Sequence, residues 1–142
     1  MVELDHTFNT SKSLEHTWNS IFDLERLIGC VQGGSVLEEL EPQRVKAQID
    51  VKMGAMSMRF TGTVAVIERD DEQHRAVLQV KSREAGGQGH ANADVTFRLS
   101  HGGGTVHTAA QITGKAASMG EGVVSSVLDA LIADFAGKLS NI

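Results

Sequence analysis

The chain has no tyrosine, one tryptophan, one proline and one cysteine in 142 residues. A lone cysteine, Cys30, excludes an internal disulfide. The opening Met1-Val2-Glu3-Leu4-Asp5-His6 has neither the basic start nor the apolar run of a secretory signal, so the expected compartment is the cytoplasm. Five phenylalanines and the tryptophan are the only aromatics. The core must therefore come from small aliphatic residues, which readily leave space unfilled. Basic charge is scarce as well: 13 Lys and Arg stand against 18 Asp and Glu, a net charge of −5. The cations are scattered, so the electrostatic footprint of a nucleic-acid partner is missing and anionic lipid finds no polybasic patch. No apolar run approaches the ~18–20 residues needed to cross a bilayer. No transmembrane segment is expected, and any membrane contact would be peripheral or mediated by a ligand. This length suits one domain, residues 1–142.

What is present is a run of alternating segments. Val2, Leu4, His6 and Phe8 alternate with Glu3, Asp5 and Thr7 as a half-buried strand. The period then changes. Ser11 is placed to cap a helix with Leu14, Trp18, Ile21 and Phe22 on one face, and Asp23 a second short helix ending near Gly29. Val36–Leu40, Val45–Val51 and Met56–Ile67 follow as strands, with a turn at Glu41-Pro42-Gln43. The acidic turn Asp70-Asp71-Glu72 and the glycine runs 86–89 and 102–104 bound three more, carrying Ala76–Lys81, Ala91–Leu99 and Val106–Ile112. The last segment is helical, with Val124, Val127, Leu128, Leu131, Ile132, Phe135 and Leu139 at spacings of three and four. Ser118 and Glu121 fit a capping box before it.

The most informative stretch is Met53-Gly54-Ala55-Met56-Ser57-Met58, which holds three of the five methionines. A glycine opening a two-residue loop predicts a tight hairpin turn of the primed type pairing Met53 with Met56. Register then follows: Val51 faces Met58, Ile49 faces Phe60, Ala47 faces Gly62 and Val45 faces Val64 on a dry side. Lys52 with Ser57, Asp50 with Arg59 and Gln48 with Thr61 make the wet side. Hairpins with one dry face plus one long amphipathic helix predict an α+β domain of the helix-grip kind. A curved seven-stranded antiparallel sheet wraps the C-terminal helix, with two short helices after the first strand. Facing that helix are Ala47, Gly62, Ala91, Ala93, Ala110 and Gly114, too small to fill a gap of ~10 Å, so a cavity is predicted. The methionines read either as filler of a loose core or as an adaptable pocket wall.

This element order resembles the helix-grip superfamily of START lipid-transfer domains and the major birch pollen allergen. Local sequence resembles the family of the carbon monoxide dehydrogenase G subunit over nearly the whole chain. The carriers are Ile28-Gly29-Cys30-Val31-Gln32-Gly33, similar to that family's cysteine-isoleucine-proline-glycine turn, Val51-Lys52-Met53-Gly54, Arg59-Phe60-Thr61-Gly62-Thr63-Val64, Gly102-Gly103-Gly104-Thr105, and Gly114-Lys115 before the last helix. Gln32, Gly34 and Ala55 depart from the family pattern. The resemblance implies a non-enzymatic domain holding an apolar molecule such as a quinone, accessory to a molybdenum hydroxylase complex.

Chemistry of other kinds is thinly represented. The six histidines, His6, His16, His74, His90, His101 and His107, form no HxH or HExxH pattern, so they read as surface residues and not metal ligands. Cys30 reads as a small buried hydrophobe. The glycine runs lie between strands and lack the following helix N-terminus that cradles a phosphate. Three functions remain. The first is a carrier for a quinone- or lipid-like molecule, with Phe22, Val51, Met53, Met56, Met58, Phe60, Ala91, Ala93, Val127 and Leu131 lining its cavity and no covalent cofactor, catalytic residue or metal. The second is a cyclase- or dehydratase-type enzyme of the same superfamily, signalled by His6, His107 or Glu84 turned into the cavity. The third is a co-chaperone-like interaction module with an exposed apolar patch. The sequence leaves homodimerisation open.

Overall fold

Alternation of period two dominates the chain, and in the computed structural model, which describes residues 1–142, it becomes a seven-stranded antiparallel sheet. The strands are β1 (Val2–Asn9), β2 (Gly34–Glu41), β3 (Arg44–Met53), β4 (Met56–Asp70), β5 (Arg75–Glu84), β6 (His90–Ser100) and β7 (Gly103–Ile112). Their spatial order is β1-β7-β6-β5-β4-β3-β2, so every neighbour except β1–β7 is a hairpin. Helices α1 (Leu14–Ile21) and α2 (Leu24–Gly29) connect the two edge strands, and α3 (Glu121–Lys138) closes the chain. This is the helix-grip arrangement that the sequence pattern predicts.

The hairpin register is as expected, from Met53 opposite Met56 through Asp50 opposite Arg59 to Val45 opposite Val64. Gly54 opens its turn at φ +64°, a conformation that an L side chain resists. Arg59 Nε donates to Asp50 Oδ1 at 2.8 Å on the wet face. β4 runs past the expected Ile67 to Asp70, because a bulge between Val66 and Glu68 lets pairing with β5 resume. Ile67, the extra residue, is left exposed.

Two helix starts differ from expectation. α1 is capped by Ser13, whose hydroxyl accepts from the His16 backbone N–H, and not by Ser11. The chain leaving β1 is still held by Thr10, whose N–H donates to Gly102 and whose hydroxyl donates to Ser140, so the turn into the helix comes later. The Ser118–Glu121 capping box does not form. Ser118 lies in a 3₁₀ turn, Ala117–Met119, and its hydroxyl donates to the Lys115 carbonyl at 2.6 Å. Gly120, at φ +99°, precedes α3 with no side-chain cap. Asp23 caps α2 as expected.

The larger core cluster gathers α1, α2 and the C-terminal end of α3, around Trp18, Ile21, Leu27, Phe97, Phe135 and Leu139. A smaller one holds Met53, Met58, Phe60, Ala116 and Val124 at the other end of the sheet.

Candidate functional site

Of the strands, only β1 comes into extended backbone contact with α3. Along the rest of the sheet the helix stands off, and the inward positions carry side chains too short to bridge the gap. Ala47, Gly62, Ala91, Ala93 and Ala110 line the resulting cavity of about 230 Å³. Gly114, expected among them, is not part of its wall. Gly62 is imposed by its neighbours: a Cβ there would lie 1.8 Å from the Lys81 carbonyl oxygen. The close approach of β5 thus forbids a side chain just where one would fill space.

Seven of the ten residues proposed from sequence lie in the cavity wall: Val51, Met53, Phe60, Ala91, Ala93, Val127 and Leu131. The other three do not. Phe22 is buried in the α1 cluster, its ring 4.7 Å from that of Trp18 and 3.9 Å beneath the Arg69 guanidinium. It forms the C-cap of α1, and the chain's turn there carries it to the far end of the core. Met58 has the right parity but is sealed into the cluster with Ala116 and Val124, and Met56 sits half-buried beside the turn. The methionine stretch therefore does both things the sequence allowed, with Met53 in the wall and Met58 as filler.

Among the wall residues that sequence reasoning did not assign are Leu27 and Ile28 of α2, Val31 just beyond it, and Ile132 and Phe135 of α3. Their apolar character was legible. The place of the α2 residues in the wall depends on α2 packing beside β2, which no local pattern encodes.

Of the 31 residues around the cavity, 24 are hydrophobic and none is ionisable. Gln48, Thr63 and Asn92 share the wet-face parity of their strands, and Ser82 donates its hydroxyl to the Ala91 carbonyl at 2.6 Å. Thr108 is different. It is 2% exposed, and its Oγ1 is buried with no hydrogen-bond partner. Leaving such a hydroxyl unpaired costs ~1–3 kcal/mol.

The candidate acid–base groups lie outside the wall. His6, expected at the surface, has a side chain only 13% exposed, with Nε2 2.9 Å from Asp129 Oδ1 of α3. It points inward from β1 because it shares the parity of Leu4 and Phe8, and it ties the edge strand to the helix. His107 is on the outer face, where Asp5, hydrogen-bonded to Nδ1 at 2.6 Å, pushes its pKa above the ordinary 6.5, helped by the charge of Glu3. Burial raises the Cys30 thiol pKa despite the positive charges of Lys138 and Arg26, so the thiol stays protonated at neutral pH. No group of three or more His, Cys, Asp or Glu side chains is placed to hold a metal ion. No helix is long and apolar enough to cross a membrane.

Residues 7–141 match the CoxG family, that of the carbon monoxide dehydrogenase G subunit. No curated protein sequence matches the chain. Among solved structures, a conserved protein from Geobacillus kaustophilus superposes with a TM-score of 0.76 at 19% identity, over 97% of this chain and 91% of that one. The lipid transfer and protein localization domain of human StarD13 gives 0.66 at 12% identity, over 99% and 77%. A START superfamily protein from Mycobacterium smegmatis gives 0.59 at 13%, over 97% and 94%. At these identities the likeness is one of fold, the START-like helix grip.

Proposed function

This chain belongs to the CoxG family, that of the carbon monoxide dehydrogenase G subunit, and on that premise we propose that it is a non-enzymatic carrier for an apolar, quinone- or lipid-like molecule. Its setting would be a molybdenum hydroxylase or carbon monoxide dehydrogenase type of electron-transfer system. The observation that carries this reading is a cavity between sheet and helix whose wall holds no ionisable side chain. Acid–base catalysis needs such a group within hydrogen-bond reach of the substrate. His6, His107 and Glu84 all lie elsewhere. Binding, in contrast, needs only apolar area to bury, at ~25 cal/mol per Å².

The cavity volume of about 230 Å³ falls below the ~300–1,000 Å³ of pockets that engulf drug-sized ligands. It suits a ring system or a short chain segment better than a whole long-chain lipid. Native mass spectrometry with solvent extraction of freshly purified protein tests the reading. A stoichiometric apolar molecule is the expected result. Protein that is empty and takes up neither quinone nor lipid analogues would overturn it.

A further inference from the structure

Thr108 sits in the middle of β7 with Leu4 of β1 and Val95 of β6 as its cross-strand partners. Its parity is that of Val106 and Ala110, so the side chain faces inward, on the side of the sheet along which α3 runs. It lines the cavity, and its hydroxyl oxygen is buried and unpaired. A valine has the same shape without that cost, so packing does not account for a threonine here. His6 Nδ1, on the same inward face of the neighbouring strand β1, is also buried without a partner, and the inward hydroxyl of Ser82 donates to the Ala91 carbonyl.

We infer that the Thr108 hydroxyl is the polar anchor of the cavity and that it selects ligands carrying a neutral hydrogen-bonding group, a carbonyl or a hydroxyl, on an apolar body. This rests on the carrier reading above and specifies its ligand class. A threonine hydroxyl both donates and accepts, so it serves either group. One step of χ1 exchanges the hydroxyl with the methyl, which lets it turn toward a bound group. Charged head groups are selected against because no cation lines the cavity, and a buried carboxylate or phosphate would lack a counter-charge. A pure hydrocarbon fits the wall but leaves the hydroxyl unpaired.

Matched probes test this: 2-acetylnaphthalene, 2-ethylnaphthalene and 2-naphthoate, which differ in one small group on the same ring system. Equilibrium dialysis against the wild type, Thr108→Val and Thr108→Ser measures each affinity. The ketone should bind the wild type more tightly than the hydrocarbon, and 2-naphthoate should bind most weakly. Thr108→Val should lose roughly three- to tenfold of the ketone affinity, the worth of one net hydrogen bond, and none of the hydrocarbon affinity. Thr108→Ser should retain the preference, which separates loss of the hydroxyl from a packing defect. Both neutral probes binding with no change in Thr108→Val would overturn the anchor and leave the carrier standing. Tighter binding of 2-naphthoate than of the ketone would overturn the neutral-group selectivity. Uptake of no probe by the wild type would overturn the carrier reading, and the anchor with it.

Discussion

Single side chains at the edge of this sheet hold charge in fixed geometry, and His107 shows the consequence most directly. Asp5 raises its pKa in the folded chain above the ordinary value of 6.5, so the folded state binds this proton more tightly than the unfolded one. The stabilisation is fully present below the unfolded value and is lost as pH rises through the folded one. An NMR titration should place the His107 midpoint above 6.5, and Asp5→Asn should lower it. Asp71 works in the opposite sense: hydrogen bonds from Arg69 and Trp18 lower its pKa, so its contribution is present above the ordinary carboxylate range and lost as pH falls through its folded value. At Gly62 even one methyl group is excluded, because the Lys81 backbone occupies its place. Gly62→Ala should therefore destabilise the fold in urea titrations by more than the ~0.5–1 kcal/mol that a Gly-to-Ala change otherwise contributes favourably. At this scale the sequence was partly legible. The alternation of β7 already put Thr108 on the inner face, but whether its hydroxyl found a partner depended on Val95, Leu4 and α3. Likewise the parity of β1 turned His6 inward, and only the position of α3 supplied Asp129.

The elements were largely readable from local pattern, for identifiable reasons. The β3–β4 hairpin could take one register only, because a slip of one residue would move Met53, Met58 and Phe60 to the wet face and separate Asp50 from Arg59. Helix starts were less determined, since serine is common near helix ends and the choice among Ser11, Ser13 and Ser118 depends on where the chain is held. Thr10 is tied to Gly102 and Ser140, which leaves Ser13 as the working cap. Ser13→Ala should cost ~1 kcal/mol, read as a lower urea midpoint with an unchanged slope. Ser118→Ala, made in the apparent capping box, should shift the midpoint by much less, because that hydroxyl bonds the 3₁₀ turn and not the helix.

For the molecule as a whole, the cavity follows from a helix whose backbone comes close to the edge strand β1 and stands off the rest of a curved sheet. Filling it should trade binding for stability. Ala93→Leu, which adds an apolar side chain to the wall, should raise Tm by ~2–4 °C per kcal/mol gained while reducing uptake of apolar probes. A cavity already closed in solution would instead show overpacking and a lower Tm. The amino-acid sequence by itself determined the strand register, the two faces and the antiparallel order, because period-two alternation and turn residues act over a few positions. It also determined that the inner face would be short of volume, since alanine and glycine occupy it. What only the tertiary structure decided was the shape of the space left over. The lateral placement of α2 and α3 made Leu27, Ile28 and Phe135 part of its wall, removed Phe22, Met56 and Met58 from it, and left Thr108 there without a partner. Those outcomes depend on contacts between residues far apart in the chain, and no local periodicity records them.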